Sequence, residues 1–498
     1  MLFSLNRLLQ EPAPLAALER QSWHPWLVVG LVSIGAFVGQ LDATIVQLAL
    51  PALGRAFDVP LQQVSWVALS YLLAFASFLP IFGRLCEIHG RKTLYIAGYA
   101  LFIAASALCA LAESFGQLVA FRFLQGMGGA LLGANSIAIL VQAVPEGARG
   151  RALGYFAAAQ AVGMSAGPAL GGFIVEALGW RWIFGLTVPF GVLAILAGWL
   201  ALPRGAAGGD KPAFDWGGAL LIGPALILVV ATLNHVSSWG LASPLTLASL
   251  LVAALLLWAL QRRETRTAAP LIDPRLFTVG AFRWGALAVV LGYGLLYGVF
   301  FLMSFGLAHG YGERAGAAGL RLALVPVALG LTAPFSHDAS RLLGPRRIGP
   351  AGMGLVLAGL AILGATFGLS PYHHVLDTVS FVLIGIGLGL FVAPNSHATL
   401  AAAPAGLAGA AGSLLNLMRV LGTSLGVAAG ASMLAWRLGV ETGSGAGTAA
   451  VAALAADGPG LLAAVRTSLP LLALMALIAA VAARKATAGG VAPSVLPK

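Results

Sequence analysis

The sequence predicts an all-α polytopic membrane protein. Of its 498 residues, 59% are hydrophobic and only 9% are charged, whereas an ordinary soluble protein carries about 25% charged residues. Apolar runs of about 20 residues, the length that crosses a bilayer as a helix, recur from end to end of the chain. Because lipid cannot satisfy backbone polar groups, such runs are expected to fold as helices. The runs leave no room for a soluble domain of any size.

About fourteen spans are predicted, as a block of six, a pair and a second block of six. A polar break at residues 203–214 follows the first block, and a basic loop at 261–277 follows the pair. Each run is long enough to cross a bilayer with some tilt. The predicted spans are 26–50, 64–82, 93–112, 117–141, 148–175, 180–202, 215–234, 243–260, 279–306, 316–335, 349–369, 376–401, 406–436 and 461–483.

The basic residues predict the orientation. The formal net charge is +11, and most Lys and Arg residues lie in alternate short loops, so the charge is assigned to topology and not to a nucleic-acid partner. Cytoplasmic loops carry this excess, so both termini are expected in the cytoplasm of a bacterium, with the spans in its inner membrane. The residues on that side are Arg84, Arg91, Lys92, Arg149, Arg151, Arg204, Lys211, Arg262, Arg263, Arg266, Arg275, Arg346, Arg347, Arg484 and Lys485.

A weak internal repeat divides the chain into halves. The second span leads into a segment that ends Gly90-Arg91-Lys92, and the tenth leads into one that ends Gly344-Pro345-Arg346-Arg347. Transporters built from two related halves show such repetition, so the two central spans are interpreted as an insert. The predicted organisation is a cytoplasmic N-terminal segment (1–25), a six-helix half (26–202), a linker with two extra helices and the basic cytoplasmic loop (203–277), a second six-helix half (278–485) and a cytoplasmic tail (486–498).

Three charged residues inside spans are functional candidates, because a charge in the bilayer is costly. Asp42 lies deep in the first span, where desolvation favours its protonated form. Arg122 in the fourth span and Arg419 in the thirteenth do not readily lose a proton, so each needs water, a carbonyl or a carboxylate. The alternative for all three is a structural ion pair or a side chain that reaches the headgroups.

Several uncharged or weakly charged polar residues are candidates to line a polar cavity together with Arg419. The alternative is that each makes a hydrogen bond between two helices, which is the commoner role of a lone polar residue in a membrane helix. These candidates are Gln125, Asn135, Gln160, Tyr293, Tyr297, Asn395, His397 and Asn416.

The stretch from Gly154 to Gly172 predicts a bent helix with a bare face. Gly163, Gly167 and Gly171 are four residues apart and therefore share one stripe, and Pro168 removes a backbone hydrogen bond. Small residues allow membrane helices to approach closely. We expect the stripe to pack against a helix of the opposite half, and ordinary close packing is the alternative.

Enzymatic motifs are weak or absent. Ser165 lies in a Gly-x-Ser-x-Gly pattern, but a serine hydrolase needs a sharp strand-to-helix turn at this position, and here the pattern lies within a helix. An intramembrane protease pairing Ser165 with His397 is therefore a remote alternative. No metal motif, phosphate-binding loop or heme signature occurs. We expect no enzyme and no cofactor.

Four motifs occur in order along the chain. They are Leu41-Asp42-x-Thr44 with Ala49-Leu50-Pro51 in the first span, Gly83-x-Leu85-x-Glu87-x-x-Gly90-Arg91-Lys92 after the second, Arg122-x-x-Gln125-Gly126-x-Gly128-x-Ala130 in the fourth, and Gly163-x-x-x-Gly167-Pro168-x-x-Gly171-Gly172 in the fifth. Together they resemble the motifs of the major facilitator superfamily, specifically its 14-helix drug/proton antiporter family. The chain departs from these motifs at Glu87, where aspartate is usual, and at Gln47, where asparagine is usual. The repeat of the loop motif in the second half also lacks a clear acidic residue aligned with Glu87.

The resemblance implies a major facilitator fold that exports small hydrophobic or amphipathic compounds by alternating access, driven by the proton gradient. It assigns proton coupling to Asp42 and Arg122, closure of the cytoplasmic side to Glu87 and Arg91, and sealing of the cavity to the fifth-helix motif. A monomer with small-molecule substrate, protons and lipid as partners is expected, and the need for a periplasmic adaptor protein stays open. A same-fold exporter or importer of one specific metabolite is the alternative.

Overall fold

The computed structural model describes residues 14–204, 214–267, 270–404, 406–441 and 458–487. Lys211, most of the predicted N-terminal segment and almost all of the predicted tail lie outside these ranges. Within them the chain is helical and forms no strand. The boundaries of the two halves stay a prediction.

Fourteen helices in the described chain are long and apolar enough to cross a membrane, as the sequence predicted. Three of them include a turn of another helix type, because α5 begins with a 3₁₀ turn, α9 ends in a π-helical turn and α10 contains a 3₁₀ turn. The helices are α1 (His24–Phe57), α2 (Leu61–His89), α3 (Arg91–Ala110), α4 (Phe115–Ala143), α5 (Glu146–Ala177), α6 (Trp182–Ala201), α7 (Trp216–Trp239), α8 (Pro244–Glu264), α9 (Gly280–Gly310), α10 (Ala315–Leu343), α11 (Pro345–Thr366), α12 (His373–Ala401), α13 (Ala408–Gly439) and α14 (Gly458–Ala486).

The segment from Gly83 to Lys92, which the sequence placed after the second span, is helical except at Gly90. Helix α2 continues through Gly83 to His89, and Arg91 already begins α3. The reversal is confined to Gly90, whose φ of 101° favours glycine. Gly344 makes the matching reversal between α10 and α11 with a φ of 85°. The internal repeat therefore has a structural counterpart. The charged residues Arg84 and Glu87 lie within α2 and do not end it.

Short connections make consecutive helices antiparallel, so the helix ends define two faces. We call the face that contains Gly90, Gly344 and the end of α14 the basic face, and the other the far face. Helices α1–α6 and α9–α14 form the two six-helix halves, and α7 packs against α2 and α13. Helix α8 packs against α7 and exposes a strip of large apolar side chains, as expected of a lipid-facing helix: Leu245, Leu247, Leu250, Leu251, Leu255 and Trp258.

The halves contact each other along α5 and α10 and along α2 and α13. At the far face, the Glu176 carboxylate accepts a hydrogen bond of 2.9 Å from Gly316 N. Nearby, Gly172 packs so closely on the Ala315 carbonyl that no Cβ would fit. These contacts hold the halves together at the far face.

Candidate functional site

The centre of the first half holds a buried ion pair between α1 and α4. Asp42 is 0% exposed and Arg122 is 1% exposed. Arg122 Nη1 lies 2.7 Å from Asp42 Oδ2, and Arg122 Nε donates to the Val67 carbonyl of α2 at 3.0 Å. The structure therefore brings together the two residues that the sequence selected for proton coupling.

Gln125 completes this site, which we call the Asp42 network. Its Nε2 donates to Asp42 Oδ1 and to Ser106 Oγ of α3, both at 2.8 Å. Its Oε1 accepts from Arg122 Nη1 at 2.6 Å. Both oxygens of Asp42 thus have a donor, and side chains or carbonyls of α1, α2, α3 and α4 meet at one point.

Glycines of α4 make this meeting possible. A Cβ at Gly126 would overlap the Tyr71 carbonyl of α2, and one at Gly128 would lie 2.6 Å from Phe102 N of α3. Close approach on both sides draws α2 and α3 in around α4, which buries Arg122 between them. Its guanidinium lies over the Tyr71 ring, 4.3 Å from the centroid.

Arg122 does not depend on Asp42 alone to satisfy its charge. Removing one partner of a buried pair costs about 3–5 kcal/mol when the other charge is left alone. Arg122, however, also has its bonds to the Val67 carbonyl and Gln125 and its contact with Tyr71. The arginine therefore has partners in this network besides the carboxylate.

The glycine stripe of α5 packs against α1 of the same half. The expectation that it faces the opposite half was wrong for Gly163, Gly167 and Gly171. Cβ atoms there would overlap the Phe37 carbonyl, overlap Thr44 Oγ1, and lie 2.8 Å from Ile45, respectively. The sequence showed that the face was bare, but not which neighbour covered it.

The opposite half contacts the adjacent edge of α5. Gly172 touches the Ala315 carbonyl, as described above, and a Cβ at Gly319 of α10 would overlap the Pro168 carbonyl. Pro168 lies inside the helix, so the motif contributes one surface to α1 and a second to α10.

The residues of the loop motif lie at the basic face, and their conformational role stays a prediction. Glu87 pairs with Arg84 at 2.6 Å on the same helix, and both are partly exposed. No atom lies within 4 Å of a Cβ added at Gly83, so packing does not demand a glycine there. Arg91 begins α3, and Lys92 behind it is buried.

A second group of polar residues lies in α9 and α13. Arg419 Nη2 donates to Asn416 Oδ1 at 2.6 Å, and its guanidinium lies 5.9 Å from the centroid of Tyr293. Among the described side chains, no carboxylate lies within ion-pair distance of Arg419. Helix α13 packs against α2, and α9 packs against α1, so this group, which includes Tyr297 of α9, lies on helices that contact the half holding the Asp42 network.

The remaining cavity candidates are dispersed. Asn135 donates to Cys86 Sγ at 2.7 Å, and Asn395 donates to the Gly285 carbonyl at 3.1 Å. Both therefore make a hydrogen bond between two helices, which was the alternative to lining a cavity. Asn395 also lines a cavity of about 370 Å³ at the basic face, together with the exposed His397. Gln160 is half-buried on α5.

Ser165 has no catalytic environment. Its hydroxyl donates to the Ala161 carbonyl of its own helix at 2.8 Å. No hydrogen bond joins it to His397, although both side chains belong to the described part of the chain. In that same part, no group of three or more His, Cys, Asp or Glu residues is placed to hold a metal ion.

Sequence reasoning missed a buried ionic cluster at the far face of the second half. Arg321 of α10 forms an ion pair with Glu313 and lies 3.1 Å from Asp377 of α12. Burial raises the pKa of the adjacent Tyr311 to about 12, so this phenol stays protonated. The sequence contained an indication of this cluster, because Arg321 and Asp377 are charged residues within apolar spans.

Comparison with known proteins agrees with this architecture. The model of the Major Facilitator Superfamily matches residues 32–427. The chain is 30% identical to the tetracenomycin C resistance and export protein of Streptomyces glaucescens, over 84% of this chain and 77% of that protein. It is also 30% identical to the drug efflux pump JefA of Mycobacterium tuberculosis H37Rv (82% and 80% coverage) and to the riboflavin transporter RibZ of Clostridioides difficile 630 (83% and 89%).

Solved structures show the same fold. A bacterial homologue of the human lysosomal transporter Spinster, in an inward-facing conformation, superposes with a TM-score of 0.70 at 16% identity and covers 95% of this chain and 100% of that one. A D-xylose–proton symporter superposes with a TM-score of 0.59 at 13% identity, over 88% and 97%. With two six-helix halves and two inserted helices, this chain is a multi-pass membrane transporter and not an enzyme, and it belongs to the Major Facilitator Superfamily.

Proposed function

We propose that the protein exports small hydrophobic or amphipathic compounds in exchange for protons. The observation that carries the proposal is the Asp42 network, in which a fully buried carboxylate can be neutralised while its cation keeps other partners. The names of the resistance and efflux relatives support the export direction. The basic face would be cytoplasmic, in a bacterial inner membrane, with both termini inside.

In this mechanism, Asp42 receives a proton when the site is open to the outside. Protonation weakens its attraction to Arg122, which stays held by the Val67 carbonyl and Gln125. The two halves then rock about the central cavity, as in other transporters with repeated halves. Opening to the cytoplasm releases the proton, and the Asp42–Arg122 pair forms again.

The proton gradient supplies enough free energy for useful export. One inward proton yields about 2.3 kcal/mol per 100 mV of membrane potential and about 1.4 kcal/mol per pH unit. Together, roughly 3.7 kcal/mol supports a several-hundred-fold gradient of a neutral cargo. No nucleotide or other cofactor is needed.

The test is proton-driven efflux from proteoliposomes that contain Asp42→Asn protein. Asparagine keeps the shape of the side chain but cannot exchange a proton, so efflux should lose its dependence on the pH gradient. Asp58→Asn is the matched control, because Asp58 is an exposed residue just past the end of the same helix. Its φ of 50° is also accessible to asparagine. Gradient-dependent transport by Asp42→Asn at the wild-type rate would overturn the assignment.

The second candidate is transport of one specific metabolite, and the similarity to a protein named as a riboflavin transporter favours it. The two candidates differ in breadth of cargo. An efflux-deficient bacterium that expresses this chain should gain tolerance to several unrelated compounds if the first is correct. Transport of riboflavin or one other metabolite, with no change in tolerance, would favour the second.

Arg419 supports a preference among cargoes. It is a partly buried cation with aromatic neighbours and with no carboxylate partner among the described side chains. A guanidinium in such a setting favours a ligand with an aromatic ring and a negatively charged or hydrogen-bond-accepting group. We infer that such compounds bind better than dications.

A further inference from the structure

The two inserted helices end side by side at the basic face, and a buried carboxylate lies at each end. Asp215 directly precedes α7 and is 2% exposed, while Glu264 is the last residue of α8 and is 3% exposed. Neither residue belongs to a motif that the transport function uses. Their environment therefore needs its own explanation.

Each carboxylate has one satisfied oxygen and one that has no partner. Asp215 Oδ1 accepts from Gly217 N at 3.2 Å, Gly218 N at 3.1 Å and Arg263 Nε at 2.6 Å. Glu264 Oε2 accepts from Ile272 N at 3.3 Å. Asp215 Oδ2 and Glu264 Oε1 are buried without a hydrogen-bond partner among the described residues.

The two unpartnered oxygens point to the same place. The position that a Cβ of Gly218 would occupy lies 2.7 Å from Asp215 Oδ2 and 2.8 Å from Glu264 Oε1. The oxygens are therefore no more than 5.5 Å apart, and both border the space that a side chain at position 218 would fill. A larger residue at this position would separate them.

The charges at this site do not balance. Among the described residues, Arg263 is the one cation that pairs with either carboxylate; it is 47% exposed and binds Asp215 on the oxygen that is already satisfied. The guanidinium of Arg262 is instead directed to the Trp258 ring, 5.3 Å from its centroid. Two buried acceptors that face each other without a donor are unfavourable, and like charges at short range disfavour double ionisation.

We propose that Asp215 and Glu264 bind one proton between them, as a carboxyl–carboxylate pair on the basic face of the inserted hairpin. One proton turns one of the unpartnered oxygens into a donor for the other, and it leaves a net charge that Arg263 balances. Glu264 carries the proton, because Asp215 already receives three hydrogen bonds that favour its ionised form. Glu264 Oε2 accepts a longer bond, of 3.3 Å, from Ile272 N.

The shared proton would join three parts of the chain. Asp215 begins α7, Glu264 ends α8, and Ile272 lies in the segment that leads to α9 of the second half. As the pH rises and the proton leaves, two buried carboxylates repel each other. The hairpin should therefore be held most firmly at acidic pH and loosen as the pH rises through neutral. This proposal does not depend on which cargo is moved, or on proton-coupled transport.

The test compares full-length wild type, Glu264→Gln, Glu264→Ala and the control Glu146→Gln in lipid nanodiscs. Glu146 is an exposed carboxylate on the same face, 89% exposed. Infrared spectra of the wild type and of Glu146→Gln should show a protonated-carboxyl band that disappears at high pH and is missing from Glu264→Gln. Survival of that titrating band in Glu264→Gln would overturn the proposal.

Thermal unfolding against pH gives an independent readout. Glutamine keeps a donor for Asp215 Oδ2, so Glu264→Gln should match the wild type at low pH and lack its loss of stability as the pH rises through neutral. Glu264→Ala should be less stable throughout. Equal pH profiles for wild type and Glu264→Gln would contradict a shared proton. Stabilisation of the wild type by Na⁺ or K⁺ at constant pH, absent from Glu264→Gln, would instead show that a metal cation occupies the site and would also overturn the proposal.

Discussion

Replacing Gly167 by alanine tests whether close contact with α1 requires a glycine at this position. The change in stability should be favourable if the position is open and unfavourable if α1 touches it. In the interior of an open helix, replacing glycine by alanine stabilises the helix by about 0.5–1 kcal/mol. At Gly167 the new Cβ would overlap Thr44 Oγ1 and lie 2.7 Å from Thr44 Cβ and 3.1 Å from Ile45 N. Because one of these atoms belongs to the backbone, α1 must move away from α5. Overpacking of this kind costs about 1–3 kcal/mol.

We therefore expect Gly167→Ala to lower both the unfolding temperature and proton-driven efflux, and Gly167→Leu to lower them further. A cost of about 1–3 kcal/mol corresponds to a shift of about 5- to 150-fold in a conformational equilibrium. Gly154→Ala is the control on the same helix, since no atom lies within 4 Å of its added Cβ. It should leave efflux unchanged and leave the unfolding temperature unchanged or slightly raised.

A second substitution tests the named contact directly. Thr44→Ala removes the hydroxyl that the new methyl group meets first. In a double-mutant cycle, Gly167→Ala combined with Thr44→Ala should recover part of the efflux and stability that Gly167→Ala loses. Efflux from inverted vesicles and thermal unfolding of purified protein are the two assays. Wild-type efflux by Gly167→Leu would refute the reasoning and leave the stripe with a packing role only.

Two further predictions concern Gly90 and Arg419. Gly90→Ala should lower the unfolding temperature, because its φ of 101° costs other residues about 1–3 kcal/mol. Gly83→Ala, which meets no atom within 4 Å, should not, and equal effects of the two would contradict a backbone role for Gly90. Arg419→Gln should slow the efflux of anionic aromatic dyes more than that of neutral ones, measured as a ratio of initial rates in vesicles. Equal slowing of both would show that Arg419 does not select cargo by charge.

The sequence predicted the features that depend on its composition and on charged residues that are rare within apolar spans. Runs of apolar residues fix the number of membrane helices, because a bilayer demands a minimum length. Asp42 and Arg122 stood out since charges in such runs are costly, and the structure joins them through Gln125. Gln125 belonged to the same motif as Arg122, but the sequence placed it among the candidates to line a cavity and did not predict that it contacts Asp42.

The sequence did not predict which helix packs against a given face of another helix. The spacing of Gly163, Gly167 and Gly171 revealed a bare stripe, but a stripe does not specify its partner. Likewise, Asp215 and Glu264 are 49 positions apart in the sequence, and only the packing of α7 on α8 brings their carboxylates together. Charges near the end of a span read as ordinary loop residues until their burial is known.

Helix α1 links the proton site to the contact between the halves. Asp42 and Thr44 are two residues apart, which places them about 200° apart around a helix, so α1 presents Asp42 to Arg122 on one side and Thr44 to Gly167 on the other. Five residues beyond Gly167, Gly172 rests on the Ala315 carbonyl of the opposite half. A movement of α5 against that half is therefore transmitted through a close-packed contact to the helix that carries the proton acceptor. Since the α1–α5 contact leaves no room even for a methyl group, α1 cannot stay in place while α5 shifts towards it. We propose that this geometry gives the glycine motif a role in coupling that a loosely packed helix could not perform.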